Sequence, residues 1–282
     1  MAKIKKISLP SGAQLDFSGP ALVMAVINCT EDSFYEGSHN SSAEEAIDRA
    51  LRAEEDGATI IDFGAESTRP GARYINAEEE LRRLIPVIEG FRKKSKLPVS
   101  VDTRKIEVAR SVLNSGADII NDISALEDSP EIAPLCAKKQ AALILMHKKG
   151  VPDTMQEAPY YDDVVAEVCD YLGAAAKRAL NAGVEAQRII IDPGIGFGKR
   201  TEDNLDLIAH FDAIAALGYY SLMALSRKSF IGDITGEPVS DRLAGTIASN
   251  AWALGKGANI IRVHDVREAR DLVQLYHAFS SR

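Results

Sequence analysis

The sequence has few of the features that mark secreted or membrane-bound proteins. Its 282 residues include three cysteines, Cys29, Cys136 and Cys169, which show no paired spacing. This argues against a disulfide framework or a zinc site and fits a reduced cytoplasm. No apolar run approaches the roughly 18 residues of a membrane span. The basic N-terminus has no apolar stretch long enough for a signal sequence. We therefore expect a cytoplasmic protein that does not bind membranes.

An excess of positive charge is also missing. The chain has 33 lysines and arginines against 41 aspartates and glutamates, a formal net charge of −8. That balance argues against a general nucleic-acid-binding surface. A hydrophobic content of 46% is ample for a large core. No linker or low-complexity segment divides the chain. We predict one domain over residues 1–282, with a short N-terminal β-hairpin at about residues 4–17.

What the sequence does contain is a repeated unit of one strand and one helix. Short runs rich in β-branched residues alternate with charged stretches whose apolar residues recur at three- and four-residue steps. The runs are 22–29, 58–65, 99–104, 117–124, 141–147, 188–194, 219–226 and 258–265. Near-continuous apolar strands that alternate with helices indicate a parallel sheet. Eight such units predict an α/β fold of the (β/α)8 TIM-barrel type. An open doubly wound sheet is the alternative.

These apolar strands finish in polar residues. The last one, "ANIIRVHD", is an example: Arg262 and His264 are two residues apart, so they project from the same side of a strand. Catalytic groups of such barrels gather at the carboxyl ends of the strands. The polar residues found there are Asn28, Glu66, Ser67, Thr68, Arg69, Asp102, Asn121, His147, Asp192, Ser226, Arg227, Lys228, Arg262 and His264.

The types of these residues suggest a substrate with two different ends. Asp192, Asn121 and Lys228 offer acceptors and donors to a flat, nitrogen-rich heterocycle, because a carboxylate can accept two parallel N–H bonds. Arg262 and His264, together with Arg69, suit an anion such as a phosphate. An amide oxygen such as that of Asn28 is a ligand for a hard cation, and Mg²⁺ usually combines few protein ligands with substrate phosphates.

Each candidate also has a purely structural interpretation. Asp102 could cap the helix that follows it, and Asn121 and Asp122 could be turn residues. The segment "STRPG" (67–71) could be only a turn. We interpret His147 as a hydrogen-bonded core histidine, and we expect Trp252 in the core. The functional interpretation rests on the whole set, which a barrel would bring to one face.

Eight motifs then identify a family. The chain resembles dihydropteroate synthases of the folate pathway in "VINCTEDSF", "ESTRPGA", "VDTRK", "GADIINDIS", "LMHKKG", "DPGIGFGK", "LSRKSFIG" and "RVHDV", which follow in order from about Val23 to Asp265. The resemblance implies a (β/α)8 fold and a Mg²⁺-dependent transferase. Such an enzyme joins 7,8-dihydropterin-6-ylmethyl diphosphate to 4-aminobenzoate and releases diphosphate. It also implies a homodimer formed through the last helices, and an enzyme that sulfonamides target.

The resemblance assigns a role to each matching residue. Catalytic roles fall to Asp102, Lys228 and Arg69. The pterin-binding residues are Asp102, Asn121, Asp192 and Lys228. The diphosphate-binding residues are Asn28, Arg69, Arg262 and His264, with Asn28 also the Mg²⁺ ligand. The 4-aminobenzoate-binding residues are Phe34, Ser67, Thr68, Pro70, Phe197 and Ser229.

The first loop departs from the family pattern. Glu31 stands where a proline is usual, and Glu36 replaces an aspartate that helps to order the closed loops. Such changes are where a catalytically silent pterin-binding paralogue would differ, and this paralogue is one alternative. A pterin-dependent methyltransferase domain is the other, but its substrate has no diphosphate and would not need Arg262 with His264.

Overall fold

The computed structural model describes residues 5–29, 39–66, 75–150, 155 and 159–282. Within these residues, parallel strands alternate with helices and close into a barrel, so the predicted (β/α)8 architecture is confirmed. The strands are β1 (Lys6–Ser8), β2 (Gln14–Asp16), β3 (Leu22–Asn28), β4 (Ile60–Gly64), β5 (Val99–Asp102), β6 (Ile119–Asp122), β7 (Ala142–Met146), β8 (Ile189–Asp192), β9 (Tyr220–Met223) and β10 (Ile260–Val263). The helices are α1 (His39–Asp56), α2 (Ala77–Arg92), α3 (Ile106–Asn114), α4 (Ile132–Lys139), α5 (Val164–Asn181), α6 (Thr201–Ala209), α7 (Phe211–Ala215), α8 (Ser229–Thr235), α9 (Leu243–Gly255) and α10 (Val266–Ser280).

Strands β3 to β10 form the barrel wall, and β10 closes it by pairing with both β3 and β9. Side chains alternate between the two faces of this wall. In β4, for example, Ile61 and Phe63 face the helices, whereas Ile60 packs inside the barrel. Asp62 shares the inward parity of Ile60. The hydrophobic core therefore has two layers, one between wall and helices and one in the barrel interior.

The predicted N-terminal hairpin is present as β1 and β2, which pair antiparallel. It covers the amino-terminal end of the barrel. The backbone N–H of Ser11 donates to Asp118 Oδ1 (2.9 Å), just before β6, and Arg188 donates to the carbonyl of Ser8 (2.7 Å), just before β8. Leu15 is buried with the interior residues of the wall. One end of the barrel is thus sealed by apolar side chains, which leaves the carboxyl-terminal end for a site. The single-domain organisation stays a prediction.

The expectation for Trp252 is wrong. Its side chain lies on α9 and is 56% exposed. The buried face of that helix is formed by Thr246, Asn250, Ala253 and Leu254, whose three- and four-residue spacing points away from Trp252. Among the described residues, no helix is long and apolar enough to cross a membrane.

The hairpin should contribute to stability through Leu15. We expect Leu15→Ala to lower the free energy of unfolding by about 2–5 kcal/mol, because it leaves a cavity in the barrel interior. Urea denaturation followed by circular dichroism measures this. Leu180→Ala is the control, since Leu180 lies on the outside of α5 and is partly exposed. Equal losses in the two variants would contradict the sealing role of the hairpin.

Candidate active site

The carboxyl ends of four neighbouring strands bring predicted residues to one level of the barrel. Asn28 is the register partner of Gly64, Gly64 of Asp102, and Asp102 of Asn121. Because they are aligned across the sheet, the polar side chains of these strands project into the same opening. Gly64 places no side chain between Asn28 and Asp102. On the other side of the opening, Asp192 is aligned with Met146.

Arg262 lies in this opening between two carboxylates. Its Nε donates to Asp62 Oδ2 at 2.7 Å, and one of its terminal nitrogens is 3.7 Å from Asp102 Oδ2. The Asp62 side chain is 0% exposed, whereas those of Asp102 and Arg262 are 16% and 21% exposed. Burial opposes the charge of Arg262, but Asp62 and Asp102 outweigh it and raise the pKa of the guanidinium. Arg262 is therefore a fixed positive charge at the opening.

Asp102 holds its proton unusually tightly. Burial raises its pKa from the usual 3.8 to about 8, and the negative charge of Asp62 acts in the same direction. Arg262 opposes both. At neutral pH Asp102 is therefore largely protonated and can donate a hydrogen bond as well as accept one.

Asp192 and Lys228 are a second pair of groups that attract each other electrostatically, with Asp192 buried and Lys228 partly buried. Burial raises the pKa of Asp192 against the attraction of Lys228, and burial lowers the pKa of Lys228 to about 8. Lys228 donates to the carbonyl of Ile195, and its ammonium lies 5.0 Å from the centre of the Phe197 ring. Lys228 thus connects the predicted heterocycle site to the loop that carries Phe197.

That loop, residues 193–199, is fixed by hydrogen bonds. Asp192 Oδ1 accepts from the N–H of Gly194 at 2.7 Å. The buried ammonium of Lys199 contacts His147 Nδ1 (2.8 Å) and the carbonyls of Gly194 (2.9 Å) and Phe197 (3.1 Å). Gly194 has a φ of +66°, and a Cβ there would lie 1.9 Å from the carbonyl oxygen of His147. The glycine is therefore required by both conformation and space.

The structural interpretation of His147 is confirmed. The side chain is buried, and burial together with the positive charges of Lys199 and Lys149 lowers its pKa to about 2. Neutral His147 accepts through Nδ1 from Lys199, which places the ring proton on Nε2. This histidine supports the loop and does not act as a base at neutral pH.

The end of β10 exposes His264 beside the start of α8. His264 Nδ1 is 3.0 Å from Ser226 Oγ, and the backbone N–H of His264 donates to the same oxygen at 3.2 Å. Ser229 is the first residue of α8 and is exposed. Arg227 is directed elsewhere, since it forms a two-point ion pair with Asp265 at 2.9 and 2.7 Å. Arg262 and His264 thus both lie at the opening, as the two-residue spacing predicted.

Most of the remaining predicted residues lie outside the described part of the chain. Asn28 has an exposed side chain at the end of β3. Phe34, Ser67, Thr68, Arg69 and Pro70 lie outside the described residues, as do Glu31 and Glu36. Glu66, the last described residue before residues 67–74, accepts a hydrogen bond from Lys105 at 2.6 Å.

Two alternatives for single residues are wrong. Asp102 does not cap α3, because Lys105 occupies the cap position and no side chain caps there. Asn121 is a strand residue whose side chain takes no part in the turn. The turn interpretation is confirmed for Asp122, which ends β6 and accepts from the N–H groups of Ser124 and Leu126.

Sequence reasoning missed two residues that shape the site, Asp62 and Lys199. Asp62 is the one charged residue in "ATIIDFGA", an otherwise apolar strand, and it has the same inward parity as Gly64. That charge in a buried run was a usable signal. Lys199 ends "DPGIGFGK", and nothing in its spacing indicates that its ammonium turns back into the loop.

The fold defines a class: a (β/α)8 barrel of the enzyme type, with carboxyl and amide groups and an arginine gathered at its carboxyl-terminal opening. Comparison with known proteins agrees. The profile of the family described as "Pterin binding enzyme" matches residues 24–264. The chain therefore belongs to the pterin-binding enzymes.

The individual proteins to which the chain is similar point to one enzyme within this family. The chain is 41% identical over 272 residues to a dihydropteroate synthase of Synechocystis sp., covering 96% of this chain and 94% of the relative. A structure of Xanthomonas albilineans dihydropteroate synthase with 4-aminobenzoic acid has a TM-score of 0.91 at 41% identity and full coverage of both chains. The same enzyme in complex with 7,8-dihydropteroate has a TM-score of 0.88 at 39% identity, covering 98% of this chain and 99% of that one. Within its family, the chain belongs with the dihydropteroate synthases, which are transferases.

The raised pKa of Asp102 predicts a pH-dependent stability. Between the usual pKa of 3.8 and about 8, the folded protein holds a proton that the unfolded chain has released. Raising the pH through this range therefore lowers the free energy of unfolding. Asparagine has no such proton, so Asp102→Asn should gain stability relative to the original protein as the pH rises from 5 to 8. Thermal melts across that range measure the difference, and parallel profiles would contradict it.

Proposed function

We propose that this protein catalyses the dihydropteroate synthase reaction, joining 7,8-dihydropterin-6-ylmethyl diphosphate to 4-aminobenzoate with release of diphosphate. The observation that carries the proposal is that one barrel opening contains both Asp102, Asn121 and Asp192, which suit a pterin, and Arg262 with His264, which suit a diphosphate. A second support is Asn121 Oδ1, a buried acceptor without a hydrogen bond from the described residues. A buried acceptor left unpaired is unfavourable, and an N–H group of a bound pterin would satisfy it.

The pterin end uses complementary hydrogen bonds. Asp192 keeps one oxygen on the N–H of Gly194 and offers its other oxygen to the amino and ring N–H groups of the heterocycle. Lys228 is a donor for the ring carbonyl or a ring nitrogen. Asp102 lies across the opening beside Arg262, where it meets the part of the pterin nearest the reacting carbon.

The chemical step is a dissociative substitution. The C–O bond to the diphosphate breaks first, its electron pair leaves with the oxygen, and positive charge develops on the pterin methylene. Arg262 and His264 hold the departing negative charge, and the positive charge on the pterin favours the ionised form of Asp102, whose proton is released to solvent. The neutral aromatic amine then attacks the methylene, and the proton that it loses also passes to solvent, so no strong base is required.

Mg²⁺ is the expected cofactor. Asn28 supplies one amide oxygen at the end of β3, and no cluster of three or more His, Cys, Asp or Glu residues able to hold a metal occurs in the described part of the chain. That donor set fits Mg²⁺, which takes few protein ligands and completes its shell with phosphate oxygens and water. When bound, the ion would neutralise charge on the diphosphate.

The pocket for 4-aminobenzoate is assigned to Phe197 and Ser229, together with Phe34, Ser67, Thr68 and Pro70 from the segments outside the described residues. Phe197 lies within reach of Lys228, at the edge of the pterin site. Arg69, on the same segment as Thr68 and Pro70, would pair with the diphosphate. With this assignment, the second substrate would lie beside the carbon that its amine attacks.

The proposal includes a homodimer and a cytoplasmic location. Trp252 on α9 and Leu275 and Phe279 on α10 are large apolar side chains that are more than half exposed. The two helices pack against each other, so these side chains could be buried against a second copy. Sedimentation equilibrium of the purified protein measures the assembly. The location rests on the three free cysteines, of which Cys29 and Cys136 are buried.

The direct test is incubation with the pterin diphosphate, 4-aminobenzoate and Mg²⁺, with dihydropteroate and diphosphate followed by chromatography. We expect both products in equal amounts. Asp192→Ala should bind a pterin analogue more weakly by about 2–5 kcal/mol, as for a broken buried charged pair, measured by calorimetry. Pterin binding without turnover in the original protein would instead favour the silent paralogue, and methyl transfer would favour the methyltransferase.

Sulfonamides should compete with 4-aminobenzoate, since an aryl sulfonamide has the same aniline and a similarly placed anionic group. Arg69 and Asn28 would share the diphosphate as a partner, so we expect tight sulfonamide binding only when diphosphate and Mg²⁺ are present. Calorimetric titration of a sulfonamide with and without both measures this. Equal affinity under the two conditions would show that the pocket does not depend on the diphosphate.

A further inference from the structure

One buried charged residue beneath the site takes no direct part in the proposed chemistry. Asp62 lies in the middle of β4, two residues before the strand ends, and its register partners are Val26 and Ser100. Its side chain is 0% exposed. It therefore lies one level deeper than Asn28 and Asp102, beneath the opening and shielded from solvent.

Asp62 acts on the site through a single oxygen. Oδ2 accepts from Nε of Arg262 at 2.7 Å and lies 3.5 Å from Nδ2 of Asn121, at the long limit of a hydrogen bond. The other oxygen, Oδ1, is buried and receives no hydrogen bond from the described residues. A buried acidic side chain with an unpaired oxygen is unfavourable for folding. Its presence is thus better explained by what it does to Arg262 than by stability.

The guanidinium has two possible acidic partners, and the geometry favours the deeper one. Asp102 Oδ2 is 3.7 Å from Arg262, a full ångström farther than Asp62 Oδ2. Burial and the charge of Asp62 also keep a proton on Asp102 at neutral pH. Without Asp62, Arg262 would be drawn to Asp102, away from the departing diphosphate and onto the group that faces the pterin.

We propose that Asp62 is a positioning residue that holds Arg262 by its Nε, so that the outer nitrogens of the guanidinium are directed at the diphosphate and Asp102 stays available to the pterin. The inference rests on the proposed function. It requires that the effect of removing Asp62 passes through Arg262, and this distinguishes a positioning role from a general contribution to packing.

A double-mutant cycle tests this requirement, with Asp62→Asn, Arg262→Ala and their combination. We expect Asp62→Asn alone to lower kcat about 10- to 100-fold, as for loss of a partner that orients a ligand-binding group, and to weaken binding of diphosphate with Mg²⁺. At saturating pterin diphosphate, the KM for 4-aminobenzoate should stay unchanged, because Asp62 contacts Arg262 and Asn121 and not Phe197 or Ser229, the described residues assigned to that pocket. In the Arg262→Ala background, adding Asp62→Asn should lower kcat no further.

The same cycle has a readout that does not depend on activity. Arg262→Ala leaves the buried Asp62 without its partner, so its Tm should fall. Adding Asp62→Asn removes the unpaired acid and should recover part of that Tm. This charge-balanced double variant also keeps the test usable if Asp62→Asn alone does not fold.

The matched control is Asp118→Asn. Asp118 is another fully buried acid that pairs with an arginine, Arg92, but it lies at the sealed end of the barrel. Its substitution should lower Tm, leave kcat unchanged, and add independently to Arg262→Ala in both measurements.

The outcomes separate the inference from the proposed function. If the original protein makes no dihydropteroate, the function is wrong, and the Tm cycle alone decides whether Asp62 and Arg262 are coupled. If the original protein is active, equal losses of kcat from Asp62→Asn in both Arg262 backgrounds would overturn the positioning role. So would an Asp62→Asn variant with the original kcat.

Discussion

Closure of the parallel strands into a barrel is the constraint on which the site depends. Alternation along each strand sends every second side chain inward, and the common direction of the strands puts all their carboxyl ends at one opening. The hairpin formed by β1 and β2 seals the other end with Leu15 and its neighbours. The interior can therefore be apolar at depth and charged only at the top, where ligands enter.

The charged level is built from groups that restrain one another. Arg262 lies between the carboxyl groups of Asp62 and Asp102, and Lys228 interacts with Asp192, so each of these two cations has an acidic side chain nearby. Such pairs are weak evidence for stability, because removing two charges from water is expensive. Their value lies in a fixed pattern of charge that exists before any substrate arrives. A preorganised pattern does not need to reorient during the reaction, which is what stabilisation of a developing charge requires.

The loop at residues 193–199 is also fixed before any substrate arrives, but its partners are uncharged: two backbone carbonyls and a neutral histidine. Lys199 is buried, and burial together with the positive charge of Lys228 lowers its pKa. It nevertheless has three acceptors, including a histidine that stays neutral. The loop is therefore held from inside the protein. This leaves Phe197 and Lys228 at the surface of the pocket.

The sequence alone was enough to predict the barrel, because the repeat of apolar strand and amphipathic helix is a local property. It can be seen separately in each of the eight units. It was also enough to place Asp102, Asn121, Asp192, Arg262 and His264 at one opening, since parallel strands in a barrel leave no other arrangement for their ends.

The sequence could not determine which charges pair. Asp62 and Arg262 are 200 residues apart, and only closure of β10 onto β3 brings them to 2.7 Å. The inward turn of the Lys199 ammonium and the outward position of Trp252 were equally beyond the sequence pattern. Both depend on which face each segment presents to its neighbours, and that is decided by packing in three dimensions.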